Sequence, residues 1–311
     1  MSIFNFAPEK LFCRLFAKIF ERRSFINISR WPANSFPWTQ KKITFCLSFD
    51  CDTEKDTAAL PKIIEILECH DLKSSFAVCG QMVKENPQIY GSLIHHGHEI
   101  INHGFSKHAE IQKDGKVIST IFYNELDEVQ IRKEIGDNHQ IVKALLDYEM
   151  VGFRVPHFGT YQGKEQIEVI NRILGNMGYL YDSSMLMVNA KKFDLLTSGI
   201  IKEFPLTPLP GFPLSVFDSW SLMKSKKRTL NDFFVLFKKM FKYALESKDP
   251  ILINIYVDPS HIVEFEGFRK SLNHIDNIRE HIYNNSYRNL LEKNTSMILD
   301  SDLEQNYRGK E

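Results

Sequence analysis

The feature that most constrains this chain is an apolar strand that ends in two carboxylates. From Lys42 the sequence reads KITFCLSFDCD, in which β-branched and aromatic residues run directly into Asp50 and Asp52. Such a run predicts a strand covered on both faces, as in a parallel sheet. A buried carboxylate is costly unless it is paired or holds a cation. Because ligands bind at the carboxyl ends of parallel strands, the pair predicts a functional site; the alternative is that both aspartates only cap the next helix.

The rest of the chain alternates predicted strands with predicted helices. Further strands are expected at 73–80, 98–102, 151–155, 179–181, 200–205 and 251–257. Helices are expected at 58–69, 88–96, 124–148, 165–177, 231–246 and 279–292, with an excursion at 112–122. This rhythm indicates an α/β fold with a parallel sheet. About seven strands in roughly 220 residues, with polar residues at several strand ends, favour a barrel over an open sheet.

Composition excludes several classes of protein. The chain has 311 residues, with 39 Lys and Arg against 39 Asp and Glu, so no net charge points to nucleic acid. Its five cysteines show no paired spacing, and Cys46, Cys69 and Cys79 sit in apolar patterns typical of buried thiols. Such thiols favour a reducing compartment, which predicts a cytoplasmic protein. No apolar run reaches the ~18 residues that a transmembrane helix needs.

The N-terminal segment differs in character from the rest of the chain. Residues 1–40 are predicted to form an amphipathic helical extension and a connector, residues 41–295 the barrel, and residues 296–311 a polar tail. In the extension, apolar residues recur at helical spacing between basic ones: Leu11, Phe12, Leu15, Phe16, Ile19 and Phe20, with Lys10, Arg14, Lys18, Arg22 and Arg23. The helix either lies on a membrane surface, at the inner face of the membrane, or packs its apolar side on the barrel.

Later strand ends also carry polar residues that suit chemistry. The sequence NHGFSKH after the third strand contains His103 and His108, and two imidazoles with one carboxylate suit a divalent metal. The nearby His95, His96 and His98 precede or begin that strand and are interpreted as surface or supporting residues. Arg154 leaves the fourth strand, and DPSH after the last apolar strand places Asp258 and His261 at the same rim.

These motifs together resemble the NodB-type polysaccharide deacetylases, carbohydrate esterase family 4. The resemblance covers about Lys42 to His261 and rests on the order of the segments Asp-x-Asp, KSSFAVCG, GHEIINH, GFRVPHFG and GYLYDSS. It implies a distorted (β/α)7 barrel of the NodB-homology type. It also implies metal-dependent hydrolysis of an N-acyl group, usually N-acetyl on an amino sugar.

The resemblance assigns roles position by position. It implies that Asp50 is the general base, that Arg154 orients Asp50, and that the metal ligands are Asp52, His103 and His108. The metal would be divalent, zinc in the first place, with cobalt or nickel as alternatives. The resemblance also implies that substrate is bound by Pro156 and His157 in the GFRVPHFG segment, and by Asp218 and Trp220 in FDSW.

Two departures from the family pattern stand out. The family's metal histidines are usually four residues apart, whereas His103 and His108 are five apart, with Lys107 as the apparent insertion. On a helix the two rings would point apart by ~140°, so an irregular turn is expected. In addition, Asp258 stands where the family has its acid histidine. Either His261 replaces that acid, or Asp258 itself stays protonated in an apolar site.

The expected function is therefore a hydrolase of carbon–nitrogen bonds other than peptide bonds. Its substrate would be an acylated amino sugar or a glycan intermediate, small or lipid-linked. Two alternatives remain: hydrolysis of another linear amide, or a carbohydrate-binding barrel whose degenerate site has lost catalysis. A non-haem iron oxygenase is the weakest interpretation, since it leaves Asp50 unexplained. No nucleic-acid partner is expected, and the sequence leaves the oligomeric state open.

Overall fold

The architecture is a barrel of parallel strands surrounded by helices. The computed structural model describes residues 18–31, 41–196, 199–224 and 229–292. The strands are β1 Ile43–Cys51, β2 Ser75–Val78, β3 Glu99–Asn102, β4 Ala109–Ile111, β5 Val117–Ser119, β6 Gly152–Phe153, β7 Tyr181–Asp182, β8 Lys202–Glu203, β9 Ile251–Val257 and β10 Ile282–Asn284. The helices are α1 Glu21–Ser29, α2 Glu54–Cys69, α3 Gly80–Glu85, α4 Pro87–His95, α5 Glu128–Leu146, α6 Lys164–Asn176, α7 Met187–Lys192, α8 Ser219–Lys224, α9 Phe233–Leu245, α10 Pro259–Ile262 and α11 Glu266–Asn277.

Strand order explains why the sheet curves into a barrel. Eight strands form one sheet in the order β10-β1-β2-β3-β6-β7-β8, with β9 paired to the other edge of β1. The segment after β8 reaches β9 through the Thr207 N–H, which donates to the Asn254 carbonyl at 2.8 Å. The Asn254 N–H donates in return to Thr207 Oγ1 at 2.8 Å. These two bonds span the gap between β8 and β9 and close the ring.

Strand β1 lies at the centre of this sheet and is buried along its whole length. Its register with β9 runs from Ile43↔Ile251 to Phe49↔Val257, and its C-terminal half also pairs with β2. Side chains alternate across a strand, so Ser48 and Asp50 point into the barrel, where Arg154 meets both of them. The strand therefore brings its carboxylates to the C-terminal mouth, as its sequence predicts.

The helix after β1 shows that the capping alternative is wrong. Helix α2 begins with a capping box formed by Thr53 and Asp56, in which Thr53 Oγ1 accepts from the Asp56 N–H and Asp56 accepts from the Thr53 N–H. A capping box satisfies free N–H groups of the first helical turn. Asp50 and Asp52 take no part in it and remain available for the site.

Three local expectations need correction. Of the last helix predicted at 279–292, residues 287–292 are helical, whereas the first part is a 3-10 turn followed by β10 at Ile282–Asn284, which pairs with β1. The thiol of Cys69 is exposed rather than buried, whereas Cys46 and Cys79 are buried as expected. His98 is buried against the Phe76 ring at 5.5 Å, so it is not a surface residue.

The excursion between β3 and α5 is an antiparallel hairpin of β4 and β5. Its turn is the predicted segment 113–116, where Gly115 has φ +82° and the Gln112 N–H donates to the Lys116 carbonyl. Glycine adopts positive φ without steric cost. The hairpin stands at the mouth of the barrel, where residues Ala109 and Val117 line a cavity.

The described part of the N-terminal segment packs on the barrel. Phe25 of α1 is buried and lies 6.0 Å from the Tyr243 ring of α9, while Trp31 is buried beside the Phe204 ring. Most of the predicted amphipathic helix (residues 1–17), the connector (32–40) and the tail (296–311) lie outside the described residues. Across the described ranges, no helix has both the length and the apolarity needed to cross a membrane.

Candidate metal and catalytic site

Asp50 and Arg154 form a buried ion pair at the centre of the mouth. Arg154 Nη1 lies 2.6 Å from Asp50 Oδ1, and the two side chains are 0% and 6% exposed. Arg154 directly follows β6, and its N–H donates to the Asn102 carbonyl at the end of β3. The parallel strands thus place Arg154 at the C-terminal mouth of the barrel, where Asp50 lies near the end of β1.

Arg154 is itself held by hydrogen bonds from several strands. Its Nε donates to the Ser183 carbonyl at 2.9 Å. Its Nη2 lies 3.0 Å from the hydroxyls of Ser48, Ser183 and Tyr287. A guanidinium that donates from all three of its nitrogens in this way has a fixed orientation. Asp50 is therefore held in one position by a rigid partner.

Asp52, His103 and His108 converge beside this ion pair as a candidate metal triad. Asp52 Oδ1 lies 2.9 Å from His108 Nε2 and 3.6 Å from His103 Nε2. One ligand atom from each residue lies within 4.8 Å of the others. Ligand atoms of a tetrahedral zinc site with 2.0–2.1 Å bonds stand about 3.3 Å apart, and the observed separations bracket that value. The donor set fits a divalent cation bound by three protein ligands, with a position left for substrate or water.

The orientation of His103 supports the same assignment. His103 Nδ1 donates to the Arg154 carbonyl at 2.8 Å, which leaves Nε2 facing Asp52. Metal-binding histidines usually donate their second ring N–H to an oxygen in this way. The His108 ring stands at 88° to the His103 ring, with centroids 4.6 Å apart. Two perpendicular imidazoles therefore face one carboxylate.

The loop between the two histidines is irregular, as the five-residue spacing requires. It starts at Gly104, whose φ is +79° and where an added Cβ would stand 2.7 Å from the Tyr123 hydroxyl. Glu134 of α5 accepts the N–H groups of Phe105 and Ser106, each at 2.9 Å. A carboxylate thus caps the loop from a helix that comes later in the chain.

The inserted Lys107 has its own anchors. Its N–H donates to Gln81 Oε1 at 2.7 Å. Its Nζ lies 2.7 Å from carboxylate oxygens of both Glu54 and Glu85. The extra residue is therefore bound on three sides, and His108 turns back toward Asp52.

His157 connects the loop between His103 and His108, called here the metal loop, with the hairpin of β4 and β5. Its Nε2 lies 2.8 Å from the His108 carbonyl and 3.1 Å from the Thr120 carbonyl, and the Thr120 N–H donates to the His108 carbonyl. His157 has a left-handed backbone with φ 50°, which is uncommon for a residue other than glycine. Burial and the neighbouring His108 lower its pKa. A neutral His157 donates from Nε2 and steadies the metal loop.

The triad is coupled electrostatically even without a cation. Burial alone would disfavour the charged Asp52 carboxylate, but His108 and His103 hold its pKa well below the usual range. Burial likewise opposes charge on His108, and the Asp52 carboxylate outweighs that effect and raises the His108 pKa. Asp52 and His108 thus favour a charged pair, and a bound cation would take the place of the proton on His108.

Asp258 and His261 form a second pair on the opposite side of Asp50. His261 Nδ1 lies 2.7 Å from Asp258 Oδ2. The Ser219 hydroxyl donates to the same carboxylate at 2.9 Å, and the His261 ring stacks on Trp220 at 5.9 Å. Burial raises the pKa of Asp258 to about 7, and the Asp258 carboxylate raises the pKa of His261 against the effect of burial. The pair can hold a proton at neutral pH, and within the part of the chain that the structure describes His261 Nε2 has no hydrogen-bond partner.

The four predicted substrate-binding residues differ in whether they line the cavity. Asp218 and Trp220 line the cavity, and Asp218 Oδ1 accepts the Ser221 N–H at the start of α8. Burial raises the pKa of Asp218 to about 6, and its Oδ2 has no hydrogen-bond partner among the described residues. His157 also lines the cavity. Pro156 is not among the lining residues and lies behind them, close to Gly104.

One cavity unites these groups, and it contains a residue that the sequence pattern did not reveal. The cavity has a volume of about 760 Å³ and is lined by Asp50, Asp52, His103, Asp258 and His261. Tyr256, two residues before Asp258, also lines it, with its ring 5.4 Å from the Arg154 guanidinium carbon. Strand alternation could have found Tyr256, because residues two apart in β9 face the same side.

Comparisons with known proteins concern the sequence family and the fold. Residues 39–172 match the family model described as polysaccharide deacetylase. A solved structure from Mycobacterium smegmatis, assigned as a polysaccharide deacetylase, has 15% identity and a TM-score of 0.61, and the match covers 84% of this chain and 92% of that one. A Pseudomonas aeruginosa protein with the same assignment has 13% identity and a TM-score of 0.60, over 81% and 91% of the two chains.

A third solved structure widens the range of related folds. PuuE allantoinase has 13% identity and a TM-score of 0.62, and the match covers 83% of this chain and 92% of that one. No curated protein sequence matches significantly. At these identities the structural likeness concerns the fold, and it confirms the expected barrel.

Proposed function

We propose that this chain, whose residues 39–172 match the polysaccharide deacetylase family model, is a metal-dependent hydrolase of carbon–nitrogen bonds other than peptide bonds. Its reaction removes an N-acyl group, N-acetyl in the first place, from an amino sugar or glycan intermediate. The observation that carries the proposal is the position of Asp50. It lies 2.6 Å from Arg154 and 4.0 Å from His103 Nε2, beside the triad and outside it.

The triad supplies the electrophilic part of the reaction. Asp52, His103 and His108 would hold the cation, with zinc favoured by the two imidazoles and one carboxylate. A divalent metal there would polarise the amide carbonyl and acidify the attacking water. His103 is held in the required orientation by the Arg154 carbonyl, so one residue orients both a ligand and the base.

Asp50 is the proposed general base. Its Oδ1 accepts a hydrogen bond from Arg154. Its Oδ2 lies 4.0 Å from His103 Nε2 and is the oxygen that would accept the proton. Both ends of the ion pair are buried, so neither partner is screened by bulk water. Removal of a positioned general base typically slows a reaction by about 10²–10⁴-fold.

His261 is the proposed general acid, positioned by Asp258. The carboxylate and the Ser219 hydroxyl fix Nδ1, the Trp220 ring covers one face, and Nε2 is left to donate to the leaving amine. Asp258 stands where the family has its acid histidine. In this proposal His261, three residues later, takes the role of that histidine, and Asp258 holds it in position. Protonated Asp258 acting alone is the alternative.

The compartment and partners are also proposals. Cys46, Cys51 and Cys79 are buried free thiols, which supports a reducing compartment such as the cytoplasm. Peripheral contact with the inner membrane surface stays a prediction, because the basic amphipathic segment lies mostly outside the described residues. No residue pattern points to nucleic acid.

Metal analysis together with an amide panel tests the function. The purified full chain is assayed for bound metal, and for release of formate, acetate or propionate from the corresponding N-acyl glucosamines and from linear amides that are not sugars. We expect one divalent ion per chain, lost in Asp52→Ala and kept in the exposed control Asp147→Asn. Release from sugar amides supports the proposal, whereas release only from the other amides favours the alternative hydrolase.

A carbohydrate-binding barrel without catalysis is the rival from a different class. It predicts sugar binding with no acid released from any amide, even after metal is added. The ordered Asp50–Arg154 pair opposes it, because a binding site gains nothing from a base held beside metal ligands. The same panel decides between the two.

A further inference from the structure

We propose that the substrate carries an aliphatic group, which packs on an apolar face of the cavity that holds the candidate metal triad. The apolar face consists of Phe158, Leu186, Leu214, Val216 and the ring of Tyr256, all of which line the cavity. The proposal deepens the proposed function and rests on it. It concerns the group next to the scissile amide and leaves the chemistry of the amide unchanged.

In the first half of the apolar face, the side chain of Gln162 hydrogen-bonds to the backbone of two segments at the barrel mouth. Gln162 Nε2 donates to the Phe158 carbonyl at 2.9 Å, and Gln162 Oε1 accepts the Leu186 N–H at 3.0 Å. The Phe158 ring meets the Tyr256 ring at 5.4 Å in an edge-on contact. The Phe158 and Tyr256 rings are therefore in contact, and Gln162 holds the backbone at Leu186 beside the backbone at Phe158.

The second half continues along the same rim. Leu186 forms a parallel bridge with Leu206, just before Thr207. The Phe217 N–H donates to the Thr207 carbonyl at 2.9 Å, and the Leu209 N–H donates to Ser215 Oγ at 3.2 Å, so residues 215–217 lie beside residues 207–209. Leu214 and Val216 line the same cavity as Phe158.

Strand order places the centre of this face away from the candidate metal triad. Asp52 directly follows β1 and the two histidines follow β3, whereas Leu186 follows β7, and Leu214 and Val216 follow β8. Phe158 and Tyr256 form the ends of the face, because β6 is next to β3 and β9 is next to β1. In the order β1-β2-β3-β6-β7-β8, closed by β9, β7 lies across the ring from β1. A substrate whose amide lies at the triad therefore points one of its ends toward the apolar face.

The chemistry of the face selects an aliphatic group. Its five members offer no charged side chain, and Leu214 is 36% exposed at the mouth. A sugar hydroxyl placed against it would lose hydrogen bonds to water without replacing them. A chain of methylenes would instead cover it favourably, by about threefold to fourfold in affinity for each methylene buried. An acetyl methyl alone would leave most of the face uncovered.

The aliphatic group has two sources, which two substrate series distinguish. One series varies the acyl chain of N-acyl glucosamine from acetyl to hexanoyl, and the other varies the alkyl aglycone of N-acetylglucosamine from methyl to octyl. We expect kcat/KM to rise about threefold per methylene in one series and to stay flat or fall in the other. A fall with chain length in both series would overturn the proposal.

Variants connect the effect to the face. Val216→Thr keeps the side-chain shape and adds a hydroxyl, and Leu214→Gln changes a side chain that is already partly exposed. Both should reduce the ratio of long-chain to short-chain kcat/KM by about threefold or more. Leu145→Gln, a similarly exposed leucine outside the cavity lining, should leave that ratio unchanged. Equal ratios in all three variants would contradict the assignment.

A binding measurement separates this proposal from the proposed function. Calorimetry compares hexanoate with acetate, and octyl with methyl glucoside, on the full chain and on Val216→Thr. Tighter binding of one long-chain probe, weakened in the variant, supports the apolar face even if no amide is hydrolysed. Equal binding of long and short probes overturns it even if acetate is released from a sugar amide.

Discussion

The Arg154 guanidinium donates a 2.6 Å hydrogen bond to the Asp50 carboxylate across the barrel interior, from a residue 104 positions later in the chain. The same arginine presents its carbonyl to His103 Nδ1 at 2.8 Å. Arg154 therefore positions a candidate metal ligand through its backbone and the proposed base through its side chain. The metal triad and the base are parts of one hydrogen-bonded unit.

Asp50→Asn should separate the role of the base from metal binding. The amide keeps the shape of the side chain but cannot accept the proton, so kcat should fall by about 10²–10⁴-fold. Metal content should stay at the wild-type level, because Asp50 is outside the triad. Steady-state kinetics and elemental analysis on the same preparation measure both quantities.

The matched control for this variant is Asp147→Asn. Asp147 is the left-handed C-cap of α5, with φ 50°, a conformation that asparagine also tolerates. Its activity should equal that of the wild type. Full activity in Asp50→Asn, or loss of metal there, would remove Asp50 from the role of base.

Deletion of Lys107 should weaken metal binding, although it restores the family's four-residue histidine spacing. The deletion removes the N–H that binds Gln81 and the ammonium that binds Glu54 and Glu85. We expect a loss of about 10–100-fold in metal affinity, the range seen when the outer support of a metal site is removed. Competition with a chelator measures it.

Lys107→Ala is the companion variant. It keeps the five-residue spacing and the backbone bond to Gln81, and it removes only partly exposed ion pairs, which contribute about 0–1 kcal/mol. Its metal affinity should stay within a few-fold of the wild type. Tighter metal binding in the deletion than in the wild type would show that the loop anchors are not what positions His108.

The sequence predicts the parts of the site that depend on local pattern. Asp50 and Asp52 end an apolar strand, and Arg154 begins a turn after another strand, so alternation of strands and helices suffices to bring them to one mouth. The placement of His108 depends instead on Glu134 and Gln81, which lie 26 to 29 residues away from the loop atoms that they bind. Such anchors belong to the tertiary structure and leave no local signal.

The elements that the sequence does not reveal have similar causes. The three-residue strand β10 pairs only with the start of β1, and its sequence IYN is too short to show a period of two. The pattern places Tyr256 in an apolar strand and indicates no further role, because its contact with Arg154 forms only when β6 and β9 face each other. The sequence pattern predicts the strands and helices, whereas the closure of the barrel determines which of their polar atoms contact each other.

The pH profile of hydrolysis should carry the signature of the Asp258–His261 pair. Donation to the leaving amine requires protonated His261, so activity should be lost as pH rises through the His261 pKa. The Asp258 carboxylate raises that pKa above the ordinary value, which is about 6.5. In Asp258→Asn the carboxylate is absent, the pKa falls, and the alkaline limb of kcat/KM should move to lower pH.

The control for the pH profile is Asp71→Asn, an exposed residue with φ 46° that is not part of the cavity lining. Its alkaline limb should coincide with that of the wild type. His261→Ala should remove the limb and most of kcat. If Asp258→Asn leaves the limb in place while His261→Ala keeps full activity, neither residue is the acid.

Gly152→Ala should destabilise the barrel just before Arg154. A Cβ at Gly152 would stand 1.9 Å from Cζ of Tyr181, which is fully buried and donates to Glu99 at 2.7 Å. Moving that ring disturbs a packed interior, so we expect a loss of about 1–3 kcal/mol in the free energy of unfolding. Gly136→Ala is the matched control, because it lies inside α5 with its nearest atom, Met177 Cε, at 3.9 Å. It should stabilise the protein by about 0.5–1 kcal/mol, since alanine favours a helix over glycine. Urea unfolding of both variants measures the two opposite signs, and equal midpoints would show that β6 can shift to admit the methyl group.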